Sequence, residues 1–369
     1  MASVAKRTDG SWRARYRDDA GLEHARHFDR RVDAQRWIDE VSTSIVTGQY
    51  VDPRAGRVSF AGYYAEWSVR QVWESTTVVA MDLAARGVPF SDVPLASVKR
   101  SHVEQWVKQM TVRGLAPGTI RTRVNNVRSV FRAAVRDRVI VTDPSVGVTL
   151  PRTRRAEAAM HLPAPEDVAA LLQCAEPRFQ AFIAVAAFAG LRLGEAAALQ
   201  VGDVDYLRKT MAVTRQVQRA GGGEIEVRPP KYGSERVVFL ADELVELLSR
   251  HVASHCPGKG STRWMFEASP GTPPHQNTVG YWWRQSCRRG DITGVTLHDL
   301  RHFYASGLIA AGCDVVTVQR ALGHAKATTT LNTYAHLWPT AEDRTRKASG
   351  SLMTTVADST ADSLRTSGT

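Results

Sequence analysis

Four cysteines in 369 residues are too few and too scattered to staple a fold. Cys174, Cys256, Cys287 and Cys313 include no C-x-x-C pair. That excludes a disulfide framework and a cysteine-based zinc site, and it points to a reducing interior. Long apolar runs are also missing. The longest, AFIAVAAFAGL (181–191), falls far short of a membrane span and ends at Arg192. No charged-then-apolar leader opens the chain, so the expectation is a cytoplasmic protein. Lysine is scarce, at 8 residues against 40 arginines, which favours planar, bidentate recognition of phosphates and bases over point charges.

What is present is positive charge, unevenly placed. The formal net charge is +11. Residues 1–56 carry 10 basic and 9 acidic groups, and residues 156–345 carry 19 of each. Residues 57–155 carry 16 against 7, so nearly all the excess lies there. A polyanionic partner is implied, with that segment as its main contact.

Periodicity divides the chain further. SWRARYR (11–17) alternates, with Trp12, Ala14 and Tyr16 on one side and Arg13, Arg15 and Arg17 on the other. LEHARHF (22–28) reads as the next strand, and Ala34, Trp37, Ile38, Val41 and Ile45 recur at helical spacing. Residues 1–56 are therefore expected to form a three-stranded sheet backed by one helix, its arginine face suited to a DNA groove. Residues 57–150 read as a helical domain. In its clearest element, opening near Pro117, Ile120, Val124, Val127, Phe131 and Ala134 form one stripe. Arg121, Arg128, Arg132 and Arg136 form another, which suits DNA-backbone contact. Residues 151–161 read as a linker and 162–348 as a third, mainly helical domain. Within it, residues 207–240 have strand character, with TMAVTRQVQ as one strand and a glycine turn at 221–223. Residues 349–369 read as a flexible Ser/Thr-rich tail.

Chemistry-bearing residues concentrate in that third domain. HDLRH (298–302) places His298, Arg301 and His302 on one helix face, because positions three and four apart are neighbours. Two histidines at this spacing can grip zinc, with His324 as a third ligand. Against that, Arg301 on the same face would repel a cation. Arg192 lies in AGLRLGE, Lys231 in PPKYGSER, His324 in LGH and Tyr334 in TTTLNTY. Taken together and in order, these motifs resemble the tyrosine recombinases, the phage-integrase family. Its members show an arginine in G-L-R-x-G-E, a lysine in a β-hairpin turn, H-x-L-R-H, then G-H, then a tyrosine about ten residues on.

The resemblance covers roughly residues 160–340 and implies the tyrosine recombinase fold, a mainly helical domain with a small antiparallel sheet. It implies DNA cleavage and rejoining through a 3′-phosphotyrosine link, with no metal and no high-energy cofactor. Tyr334 would be the nucleophile. Arg192, Arg301, His298 and His324 would hold the scissile phosphate, with His298 also able to take the phenolic proton. Lys231 would protonate the leaving oxygen, and Glu195 and His302 would support the set. Residues 57–150 resemble the family's core-binding domain, and residues 1–56 the arm-binding domain of the integrase subgroup. Implied partners are core and arm sites on double-stranded DNA within the bacterial nucleoid, and three further copies of the chain. A host DNA-bending factor and an excisionase would complete the assembly. Integration and excision of a phage or other mobile element is the leading expectation. Resolution of chromosome or plasmid dimers, a catalytically silent DNA-binding regulator and a zinc hydrolase are the alternatives.

Overall fold

The computed structural model describes residues 2–18, 21–48, 50–152, 160–219, 224–230, 233–338 and 341–366. The chain divides into two compact units, residues 1–158 and 159–369.

The first unit opens with an antiparallel sheet of β1 (Ser3–Lys6), β2 (Trp12–Arg17) and β3 (Glu23–Phe28). Helix α1 (Arg31–Val46) packs on it. Alternation along β2 has the expected sense: Ala14 and Tyr16 are buried against Ala34 and Ile38, and Arg13, Arg15 and Arg17 are exposed. A second core belongs to four helices and the turns between them. The helices are α2 (Phe60–Ser68), α3 (Ser75–Arg86), α4 (Arg100–Val112) and α5 (Pro117–Arg136). Pro117 occupies the first turn of α5, where its missing N–H costs nothing. The apolar stripe Ile120, Val124, Val127, Phe131 and Ala134 is fully buried, with Phe131 against Phe60 and Phe90.

The second unit is built around α7 (Pro177–Phe188), whose apolar run is buried almost throughout. Helices α6 (Pro165–Cys174), α8 (Leu193–Ala197), α9 (Asp242–His255) and α10 (Gln276–Arg289) surround it. So does α11 (Leu297–Ala310), which lies along α7. Strands β4 (Val204–Asp205), β5 (Thr210–Val213) and β8 (Arg236–Phe239) form one antiparallel sheet. Strands β6 (Gln216–Arg219) and β7 (Ile225–Arg228) form a separate hairpin. The single strand expected over TMAVTRQVQ is thus two, in two sheets. The break falls at Thr214–Arg215, where the Arg215 guanidinium turns to the Asp203 carboxylate at 2.7 Å instead of continuing a ladder. The glycine turn expected at 221–223 lies outside the described residues. Helices α12 (Val315–Leu322) and α13 (Ala327–Tyr334) complete the compact part.

Beyond them, α14 (Ala341–Thr366) is a helix where the sequence suggested a flexible tail. Ala, Ser, Leu and Met are compatible with a helix and no proline interrupts them. Its side chains over residues 345–357 are exposed.

Candidate functional site

Two chain reversals and one capped helix start build the site. Gly190 ends the α7 segment in the left-handed region (φ 64°), which a side chain resists. A Cβ there would also stand 2.4 Å from the Tyr304 ring. Arg192 follows as the residue capping α8. Gly323 closes α12 in the same left-handed conformation and turns the chain into His324. Asp299 fixes the start of α11, with the Thr296 N–H and hydroxyl both donating to its Oδ2 at 2.7 Å. That cap sets the start of the helix bearing His298, Arg301 and His302.

The arginines converge from α8, α11 and β8. Arg301 is 2% exposed and donates to the carbonyls of Gly190 and Leu322. Arg192, still 36% exposed, donates to Glu195 Oε1 at 2.6 Å, and more weakly to Ser234 Oγ and the Gly323 carbonyl, each at 3.4 Å. A third guanidinium was not anticipated. Arg236, at the start of β8, donates to Glu195 Oε2 and to the Ala321 carbonyl, both at 2.9 Å. The signal for it was present in ERVVFL: Arg236 shares a face with the buried Val238, so a charge stands at an inward strand position.

Glu195 is the countercharge. Burial pushes its carboxyl up, but the bond and charge of Arg236, and the charge of Arg192, outweigh that and hold it below the ordinary range. Three guanidiniums against one carboxylate leave an excess of positive charge. The cost shows at Arg301, where burial and the charge of Arg192 bring the guanidinium down to about 9. A site like this is stabilised by an arriving anion, and Arg192, the most exposed of the three, is placed to meet it.

The histidines flank this cluster. His324 bonds through Nδ1 to the buried Thr330 hydroxyl at 2.9 Å. Burial, then Arg301, Arg192 and Arg236, push its pKa down to about 4. His298 is open to solvent on one edge, and the enclosing chain and Arg301 lower it too. His302 makes the contact that the sequence did not foretell, with its Nδ1 2.7 Å from the Tyr334 hydroxyl. Tyr334, at the end of α13, is 1% exposed, and its ring sits among Ala305, Ile309, Val318 and Leu322. Burial raises its pKa, and the charges of Arg301 and Arg192 oppose the rise. Lys231 lies outside the described residues.

The arginines nominated for DNA contact are less uniform. Arg13, Arg15 and Arg17 are exposed and ring Glu23 at 3.4–4.0 Å. Arg121, Arg132 and Arg136 are exposed on α5. Arg128 differs: it is half-buried and spends its guanidinium on the Ser145 hydroxyl and carbonyl, each at 3.2 Å.

Residues 162–340 match the Phage integrase family, and residues 66–140 match its N-terminal domain, described as Phage integrase, N-terminal. Together these matches span well over half of the chain. The chain belongs to the phage integrase family. This integrase is thus a site-specific recombinase. It is 26% identical over 255 residues to the ICEBs1 integrase of Bacillus subtilis, covering 66% of this chain and 68% of that one. It is 25% identical over 288 residues to a tyrosine recombinase of Thermosipho africanus, covering 75% and 93%. In fold the integrase is similar to the Tn1549 transposon integrase solved in complex with transposon right end DNA. The TM-score is 0.69 at 21% identity, over 80% of this chain and 100% of that one. A lambda integrase dimer bound to a core site gives 0.57 at 15% identity, over 91% and 96%.

Proposed function

We propose that this integrase cuts and rejoins double-stranded DNA through a 3′-phosphotyrosine at Tyr334, and that it moves a phage or other mobile element into and out of a chromosome. The observation that carries the reading is the pairing of a buried tyrosine hydroxyl with a cluster of guanidiniums in charge excess. A phosphodiester under attack gathers negative charge on its non-bridging oxygens. Arg192 and Arg301, held in place before the substrate arrives, answer that charge without reorganising. His298 and His324 donate to the same oxygens. Arg236 acts through Glu195, fixing the carboxylate that orients Arg192. Tyr334 Oη bonds to phosphorus as the bond to the 5′-oxygen breaks, and Lys231 supplies the proton which that oxygen needs. The ester keeps the bond energy for religation, so no nucleotide cofactor enters.

In the first unit, Arg121, Arg132 and Arg136 hold the phosphate backbone of the core site, and Arg13, Arg15 and Arg17 address a separate arm site. Arg128 shapes the turn after α5 by holding Ser145. Four protomers act together on two duplexes, assisted by a host DNA-bending factor and an excisionase. The relatives support the mobile-element assignment, being the integrases of ICEBs1 and Tn1549. The test is a nicked duplex carrying the core sequence read from the junctions of the element that encodes the chain. Wild type should become covalently attached at a 3′ phosphate, and Tyr334→Phe should not. Attachment by Tyr334→Phe would refute the assignment.

A further inference from the structure

We propose that His302, through Nδ1, takes the phenolic proton of Tyr334 as the ester forms and returns it as the ester breaks. This rests on the phosphotyrosine reading above and assigns its proton transfer to a residue other than His298.

Geometry comes first. The Tyr334 hydroxyl lies 2.7 Å from His302 Nδ1, and the rings meet at 5.5 Å between centroids and 64° between planes. His302 is the hydrogen-bond partner found for that hydroxyl among the described residues. His298 stands one helical turn away, and its ring meets His302 edge-on at 4.8 Å. His302 therefore occupies the place next to the reacting oxygen, within the reach a general base needs.

The state of the ring agrees. The charged and titratable groups bearing on His302 are His298, Asp299 and Arg301 of α11 and Tyr334 of α13. Burial, then His298 and Arg301, bring it down to about 4, against the opposing pull of Asp299. At neutral pH the ring is uncharged and has one lone pair. If Nδ1 carries that lone pair, Nε2 carries the hydrogen and the phenol donates.

A base this weak does not ionise tyrosine in the resting protein. The transfer belongs to the transition state. As Oη binds phosphorus it loses its basicity, while the oxygens of the phosphorane gain charge that favours an imidazolium nearby. The step balances: the Oη–P bond forms, the P–O5′ bond breaks, the phenolic proton goes to Nδ1, and the 5′-oxygen takes its proton from Lys231. Religation reverses each transfer.

Two measurements on the full-length chain test this. In DNA-free wild type, histidine ¹⁵N shifts should show His302 with Nδ1 unprotonated and Nε2 protonated; a protonated Nδ1 would overturn the proposal. The second compares His302→Gln and wild type on the nicked duplex described above, with equal urea midpoints as the check on folding. Covalent attachment by His302→Gln should be slower by about 100-fold at pH 7. The loss should persist on a duplex with a 5′-bridging phosphorothiolate, whose sulfur leaves without a proton. Between pH 7 and 9 the variant should gain about tenfold per unit as tyrosine ionises unaided, while wild type stays flat. A wild-type rate in the variant would sink the idea, as would a loss equal at every pH or one cured by the phosphorothiolate. Tyr334→Phe in the same assay separates the two readings. Attachment by that variant defeats the phosphotyrosine assignment whatever His302 does.

Discussion

Among the described residues Glu195 is the acid paired with both Arg192 and Arg236, and its loss would leave Arg236 buried without a countercharge. Breaking a buried pair from one side costs about 3 kcal/mol. Glu195→Gln should lower the unfolding free energy by that order in urea titration, and the same change should cost less in an Arg236→Met background. The histidines set a pH dependence. His302 and His324 fall to about 4 in the folded chain and lie near 6.5 when unfolded. Between those values the unfolded chain binds more protons, so stability is full above about pH 6.5 and is lost as pH falls toward 4. After allowance for their partial exposure, each contributes about 1 kcal/mol across that window. Urea midpoints measured from pH 7 to pH 4.5 should decline, and less steeply in His302→Gln. Anion binding is the converse effect. Vanadate or inorganic phosphate should raise Tm by relieving Arg301, and Arg192→Ala should blunt the rise, as read by calorimetry.

Among the elements, α11 and β8 decide the site between them. The helix was legible, since HDLRH puts His298, Arg301 and His302 at helical spacing. The strand was legible as a strand, but its inward arginine was not recognised as part of the site. A period of two tells which face a side chain takes, and it does not tell which carboxylate waits across the gap. Helix α14 makes the same distinction from the other side. Leu352 and Val356 are 69% and 63% exposed on it, one turn apart. Leu352→Glu should therefore change the unfolding free energy by less than about 0.5 kcal/mol. A loss larger than about 1 kcal/mol would mean that the helix contributes to the core of the isolated chain.

For the molecule as a whole, charge placement carries the expectation about DNA. The excess in residues 57–155 predicts binding that weakens steeply with salt. Arg132→Ala, which removes one exposed guanidinium from α5, should reduce the slope of log affinity against log salt by about 1. Arg128→Ala should act differently, loosening the Ser145 turn and lowering Tm with little change in that slope. Fluorescence anisotropy at several salt concentrations, beside a melting curve, distinguishes the two.

Local rules were enough for some of the elements. Alternation made β2 a half-buried strand, and an apolar stripe with Pro117 made α5. Each depends on residues within a few positions of one another. Motif order was enough for the family, because Arg192, Arg301, His324 and Tyr334 keep their spacing along the chain. Partnership was decided by the tertiary structure. That Arg236 shares Glu195 with Arg192, that Arg128 is spent on Ser145, and that His302 touches the Tyr334 hydroxyl are facts about side chains far apart in sequence. They follow from where α7, β8, α11 and α13 pack, and hydrogen bonds are made only at the distances that packing leaves.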